Sequence, residues 1–168
     1  MSNRRIVTEA VPESYRLARI AVFCALSVIG SFIRLPGPMP TVAFDSAPGF
    51  FAALYFGPID GAAVTGIGHI ATAVINGFPL SVLHFPIALG LALAGAVIGW
   101  INRLDSRFGY AEGIVAGIMI NTALIILVIP TIGLAAAISF LPFLFFAACI
   151  NGIVAVAVYL TLRGRVRI

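Results

Sequence analysis

A chain of 168 residues has the length of one ordinary soluble domain, but 61% of it is apolar, only 10% is charged, and its mean hydropathy is +1.13. Soluble domains carry roughly 25% charged residues because a water-facing surface needs them, so this composition excludes a soluble globular protein and requires an outer surface that faces lipid. The net charge of +4 comes from ten Arg and no Lys against three Asp and three Glu; the Arg residues stand at the ends of apolar runs rather than among aromatics on one face, which argues against a nucleic-acid partner.

Residues 1–14 form a polar tail with Arg4, Arg5, Glu9 and Glu13. Its acidic residues and the strong apolar runs downstream point to an uncleaved first helix rather than a secretory signal. That helix is expected over Tyr15 to Leu35, about 31 Å of rise and so the thickness of a hydrocarbon core. Three prolines in Pro36-Gly37-Pro38-Met39-Pro40 stop it. A second helix is expected from Ser46 to Gly57, with Asp45 or Ser46 as N-cap and Pro48 in its first turn. At about 18 Å it is too short to cross a bilayer and belongs inside the bundle.

The tight turn Gly57-Pro58-Ile59-Asp60-Gly61 leads into a third helix ending near Asn76, and Gly77-Phe78-Pro79-Leu80 breaks it. A fourth helix covers Leu83 to Asn102, with Trp100 at an interface. Asn102 to Glu112 reads as a charged loop. The fifth helix is expected over Gly113 to Ile129, followed by the turn Pro130-Thr131-Ile132-Gly133. The sixth is expected from Ala137 to Leu162, ahead of a basic tail over 163–168 that contains Arg163, Arg165 and Arg167.

Six helices in one transmembrane domain over 15–162 put both termini on one side, with Arg4, Arg5, Arg16, Arg19, Arg103, Arg107, Arg163, Arg165 and Arg167. The other side keeps Arg34 alone, which either snorkels to the interface or meets Asp45. The positive-inside rule then places both termini in the cytoplasm. The expected fold is thus an all-α, multi-pass bundle in a cell membrane. Small residues one helical turn apart recur as Ala21 and Ala25, Gly57 and Gly61, Gly95 and Gly99, Gly113 and Gly117, and Ala148 and Gly152, a spacing that lets backbones approach closely in lipid.

Polar residues inside the membrane are few, and lipid should exclude them. Thr65, His69, Thr72 and Asn76 fall within a stripe about 60° wide on the third helix and look inward toward a cavity. His84 begins the fourth helix at the same end. Asp45 and Ser46 begin the second, where Asp45 serves as a cap, a ligand partner or both. Asn121 and Asn151 lie near mid-membrane and either bridge helices or face a ligand. Phe44, Phe50, Phe51, Phe78, Phe85, Phe140 and Phe143 crowd that end, and with the polar groups they point to a pocket for a flat ring bearing hydroxyls or ring nitrogens.

Enzymatic motifs are lacking: neither the His-Glu-x-x-His spacing of a zinc site, nor a Gly-x-Ser-x-Gly elbow, nor a P-loop occurs. Cys24 and Cys149 lie in apolar runs with no pairing or metal spacing. The expected protein therefore has no metal, no cofactor and no ATPase of its own.

The Ala21-x-x-x-Ala25 pair, the short second helix and Phe56-Gly57-Pro58 resemble the substrate-binding S component of energy-coupling factor (ECF) transporters, over nearly the whole chain. That resemblance implies capture of a vitamin or metal from outside, docking through Ala21 and Ala25 on a transmembrane coupling subunit, and two partner ATPases. A more particular stretch, Asp45-Ser46-Ala47-Pro48-Gly49-Phe50, Gly68-His69, Thr72-Ala73, Gly77-Phe78-Pro79-Leu80 and His84, is similar to S components assigned to α-ribazole, the benzimidazole nucleoside of cobamide salvage. It implies ligand roles for Asp45, His69 and His84. Ser2 stands where nickel and cobalt members carry His, and the lone Trp100 sits at the wrong end for a thiamin pocket. Other vitamins such as riboflavin, biotin or a thiamin precursor, an autonomous transporter or channel, and a membrane enzyme acting on lipid remain the alternatives.

Overall fold

The computed structural model describes residues 12–33, 43–104 and 107–164. Arg34, the proline-rich stop and most of the loop after it, Asp105, Ser106 and the tails 1–11 and 165–168 lie outside the described residues. The described chain is helical: α1 (Glu13–Ser31), α2 (Ala47–Tyr55), α3 (Pro58–Ile75), α4 (His84–Leu104), α5 (Gly109–Ala123), α6 (Ile129–Ile132) and α7 (Leu134–Leu162). A 3₁₀ turn over Ser81–Leu83 leads into α4, and another over Leu124–Val128 joins α5 to α6. Five stretches are long and apolar enough to cross a membrane: α1, α3, Ser81–Leu104, Gly109–Ile132 and α7. With α2, they make the six helical units read from the sequence.

Several boundaries shift for local reasons. The backbone N–H groups of Phe32 and Ile33 bond back to Ile29 and Gly30, closing α1 before the expected Leu35. The charged loop is shorter than 102–112, because α4 continues to Leu104 and α5 starts at Gly109. Gly109 lies so close to Ile101 and Asn102 that a Cβ there would come within 3 Å of their backbones. Pro130 falls in the first turn of α6, and Gly133, at φ 82°, makes the actual corner before α7. There the absent Pro N–H would have no intrahelical partner in any case.

The bundle is built around α2 and α3. The short α2, about 14 Å long, packs on α1, α3, α4 and α7 with all but Pro48 and Tyr55 buried, and α4 lies between α3 and α5. Gly61 and Gly95 face each other across the α3–α4 crossing, each leaving no room for a Cβ against the other's backbone. Gly113 and Gly117 fit against Ile98, and Gly152 against Ile114 and Ile118. These small-residue pairs are internal packing. Ala21 and Ala25 are the exception: both are exposed on α1. Large apolar side chains cover the outside, with Leu89, Ile126 and Ile153 each more than 60% exposed, as a lipid-facing surface requires.

One end of the bundle gathers the start of α1, the α2–α3 turn, the α4–α5 connection and the end of α7. Arg19 pairs with Asp60, Asn102 donates to the Leu54 carbonyl, and Arg163 lies over Tyr110. Every described Arg is at this end. The opposite end holds Asp45, His69, Asn76 and His84.

Candidate ligand site

The segment entering α2 is fixed from outside itself. Ser46 occupies the N-cap position but its side chain makes no capping bond, so the expected cap by Asp45 or Ser46 is not formed. The N–H of Ala47 instead donates to Asn151 Oδ1 on α7 at 2.8 Å. The Asn151 amide donates to the carbonyls of Ala43 (3.0 Å) and Ala147 (2.9 Å). One buried side chain thereby holds both flanks of Asp45 and Ser46. The Asp45 carboxylate accepts from the Ser46 hydroxyl at 3.3 Å and the Thr72 hydroxyl at 3.4 Å, both long. Burial pushes this carboxyl up to about 6, against the downward pull of hydrogen bonds from the backbone of Asp45 and Ser46 and the side chains of Ser46 and Thr72.

Facing it is a histidine relay. The Leu80 N–H donates to His84 Nε2 at 3.1 Å, and His84 Nδ1 lies 3.1 Å from His69 Nε2. A backbone N–H can only donate, so His84 Nε2 accepts and its proton sits on Nδ1. That proton goes to His69 Nε2, which leaves the His69 proton on its own Nδ1. Both rings are neutral in this arrangement, because an added proton would set N–H against N–H. The relay ties the α3–α4 connection to the site. That connection carries backbone strain, with Phe78 at φ 55° and Ser81 at φ 48°. Phe78 covers His84, their ring centroids 4.8 Å apart.

Between these groups lies a cavity of about 100 Å³. Asp45, Ser46, His69, His84, Asn121 and Asn151 supply its polar lining. A smaller one of about 30 Å³ adjoins it, sharing Asp45, His69 and His84 and adding Thr72 and Asn76. These eight sequence-derived polar residues come together, while Phe78 and Thr65 line neither cavity. Thr65, lowest on the polar stripe, bridges to the carbonyls of Leu91 and Gly61 and serves the α3–α4 crossing. Asn121 opens onto the cavity with no side-chain hydrogen bond to a described residue, whereas Asn151 is engaged by Ala43, Ala47 and Ala147.

The expected aromatic box is not built. Phe140 alone of the seven named Phe residues lines the cavity. Phe50 and Phe51 belong to a separate core with Leu54 and Ile98, and Phe85 and Phe143 are 56% and 40% exposed. The walls are aliphatic instead: Leu80, Ile87, Leu91, Leu124, Ile125, Val128 and Leu144. In a chain that is mostly apolar these residues carry no compositional signal. Only the spacing of Ile87 and Leu91 from His84, three and seven positions along one helix face, marks them in the sequence.

A family model described as ECF transporter, substrate-specific component, matches residues 15–163. No curated protein matches the chain. Among solved structures, the fold is similar to one reported under "Structure and mechanism of the S component of a bacterial ECF transporter", with a TM-score of 0.65 and 20% identity over 90% of this chain and 97% of that one.

Proposed function

Because the chain belongs to the family of substrate-specific components of ECF transporters, we propose that its cavity captures a vitamin-like solute at the outer face of a bacterial cytoplasmic membrane, and that α-ribazole or a related cobamide precursor is that solute. Components of this family bind small molecules and work with a membrane coupling subunit and ATPases; they are transport subunits rather than enzymes. The carrying observation is the convergence on one apolar cavity of three polar groups with capacity left: the Asn121 amide, the Asp45 carboxylate and the Nδ1–H of His69.

Each suits part of a benzimidazole nucleoside. A carboxylate accepts from two ribose hydroxyls, and an amide donates and accepts at ring or sugar atoms. Phe140 and the aliphatic walls suit a flat apolar ring. The cavity is smaller than the roughly 300–1,000 Å³ usual for small-molecule sites, so entry requires the outer end to open. Release of the strained Leu80 connection from His84 would do this. The gathering of Arg16, Arg19, Arg103, Arg107 and Arg163 at the opposite end supports a cytoplasmic orientation for that end.

The test is a thermal-shift screen of the detergent-purified chain against α-ribazole, riboflavin, biotin and thiamin precursors. Stabilisation by α-ribazole is expected, because a ligand that binds the folded state alone raises the melting temperature. Stabilisation by another of these compounds only would replace the ligand and keep the site.

A further inference from the structure

A charged concavity lies at the opposite end of the bundle from the ligand cavity. A cleft of about 400 Å³ opens between the start of α1, the α2–α3 turn and the end of α4, with Arg16, Arg19, Arg103 and Asp60 in its lining. Asp60 is 4% exposed, held bidentately by Arg19 and shared with Arg16. Arg19 donates from Nε to Oδ1 at 2.8 Å and from Nη2 to Oδ2 at 3.0 Å, with its guanidinium 4.6 Å from the centre of the Phe56 ring.

One carboxylate thus faces three guanidiniums in the cleft, a surplus of two positive charges in its described lining. Arg16 stands 3.5 Å from Asp60 Oδ2 with its side chain 36% exposed, and Arg103 donates one bond, to the Phe56 carbonyl at 3.2 Å. Gly57, at φ 108°, turns the chain so that α3 begins beside them. The positive end of that helix dipole adds to the same field. Ile59 in the lining is 65% exposed, and Tyr15 and Leu17, which flank Arg16 in sequence, are each 70% exposed.

We propose that this cleft is a phosphate-ester site, filled by the headgroup of an anionic phospholipid. Guanidinium forks match phosphate oxygens bidentately, and two uncompensated positive charges exceed what one phosphodiester monoanion neutralises. The exposed Ile59 in the lining, with Tyr15 and Leu17 next to Arg16 in sequence, offers acyl chains apolar contacts that a free phosphate would not use. Basic pockets between membrane helices are sites of this chemistry in general.

The full chain, reconstituted in phosphatidylcholine containing phosphatidylglycerol, is released into the gas phase and the retained lipid is counted by native mass spectrometry. Phosphatidylglycerol should be retained over phosphatidylcholine, and Arg16→Gln with Arg103→Gln should lower that retention at least fivefold. Arg163→Gln, at the same end but over Tyr110, should not. Arg16→Gln alone, which removes only a 3.5 Å contact, should lower retention in the same direction and serves if the double variant fails to fold. Equal retention by wild type and variants overturns the proposal. Displacement of the lipid by millimolar inorganic phosphate makes the cleft a site for soluble phosphate esters and overturns the lipid assignment. Weakened assembly with the coupling subunit at unchanged lipid retention makes it a protein contact and overturns it as well.

Discussion

Asn151 on α7 caps Ala47 at the start of α2, across 104 positions of sequence, with its Oδ1 2.8 Å from the Ala47 nitrogen. A helix N-terminus ordinarily takes such a bond from its own N-cap side chain. Here the neighbouring Ser46 and Asp45 are left free of that duty, so their polar atoms can face the cavity. The cap and the site are parts of one arrangement.

Asn151→Ala removes the cap and leaves the Ala43 carbonyl and the Ala47 N–H unpaired. A lost cap costs about 1 kcal/mol and each buried unpaired group about 1–3 kcal/mol. The melting temperature should fall, and ligand affinity should fall with it, because Asp45 and Ser46 lose their anchors. An Asn151→Ala protein of undiminished thermal stability would contradict the capping role.

The relay fixes two tautomers. Both His69 and His84 should carry their proton on Nδ1, as read from the ¹⁵N and ¹³C shifts of histidine-labelled protein. Acidification should abolish the coupling between the rings, since a further proton has no acceptor between them. Protonation of His84 at Nε2 at neutral pH would contradict the bond from Leu80.

Ala21 and Ala25 differ from the other small-residue pairs in facing outward. Replacing both with Leu should leave affinity for the ligand within about twofold while abolishing co-purification with the coupling subunit, because close backbone approach in lipid needs small side chains. Loss of both properties together would show that the pair serves this bundle instead.

Topology has a direct test. In a chain with Cys24 and Cys149 replaced by Ala, a cysteine at Pro79 should react with an impermeant maleimide in whole cells and one at Arg107 should not. The reverse pattern would place the ligand cavity on the cytoplasmic side.

The helices were legible because lipid demands long apolar runs, and Gly and Pro punctuate them. The polar residues of the site were legible for the complementary reason: in such a chain His69, His84, Asp45 and Asn121 stand out singly. What each does was not. The sequence cannot distinguish Asn121, whose amide is uncommitted, from Asn151, which is consumed by Ala43, Ala47 and Ala147, since that depends on which backbone groups lie opposite. The Phe residues misled because an aromatic in a membrane protein suits lipid, core and pocket equally; Phe50 went to the core and Phe85 to the surface. The Arg19–Asp60 pair was not legible either, because its members are 41 positions apart and each alone reads as an interfacial charge.

Calorimetry of α-ribazole binding to the purified chain tests the central claim, that the cavity between Asp45, His69 and Asn121 is the ligand site. Removing a partner from a buried ligand group costs about 1–3 kcal/mol, or roughly 5- to 150-fold in affinity. Asp45→Ala, His69→Ala and Asn121→Ala should each weaken binding by that factor, while Glu112→Ala at the far end of the bundle leaves it unchanged. Wild-type affinity in all three folded variants would contradict the assignment.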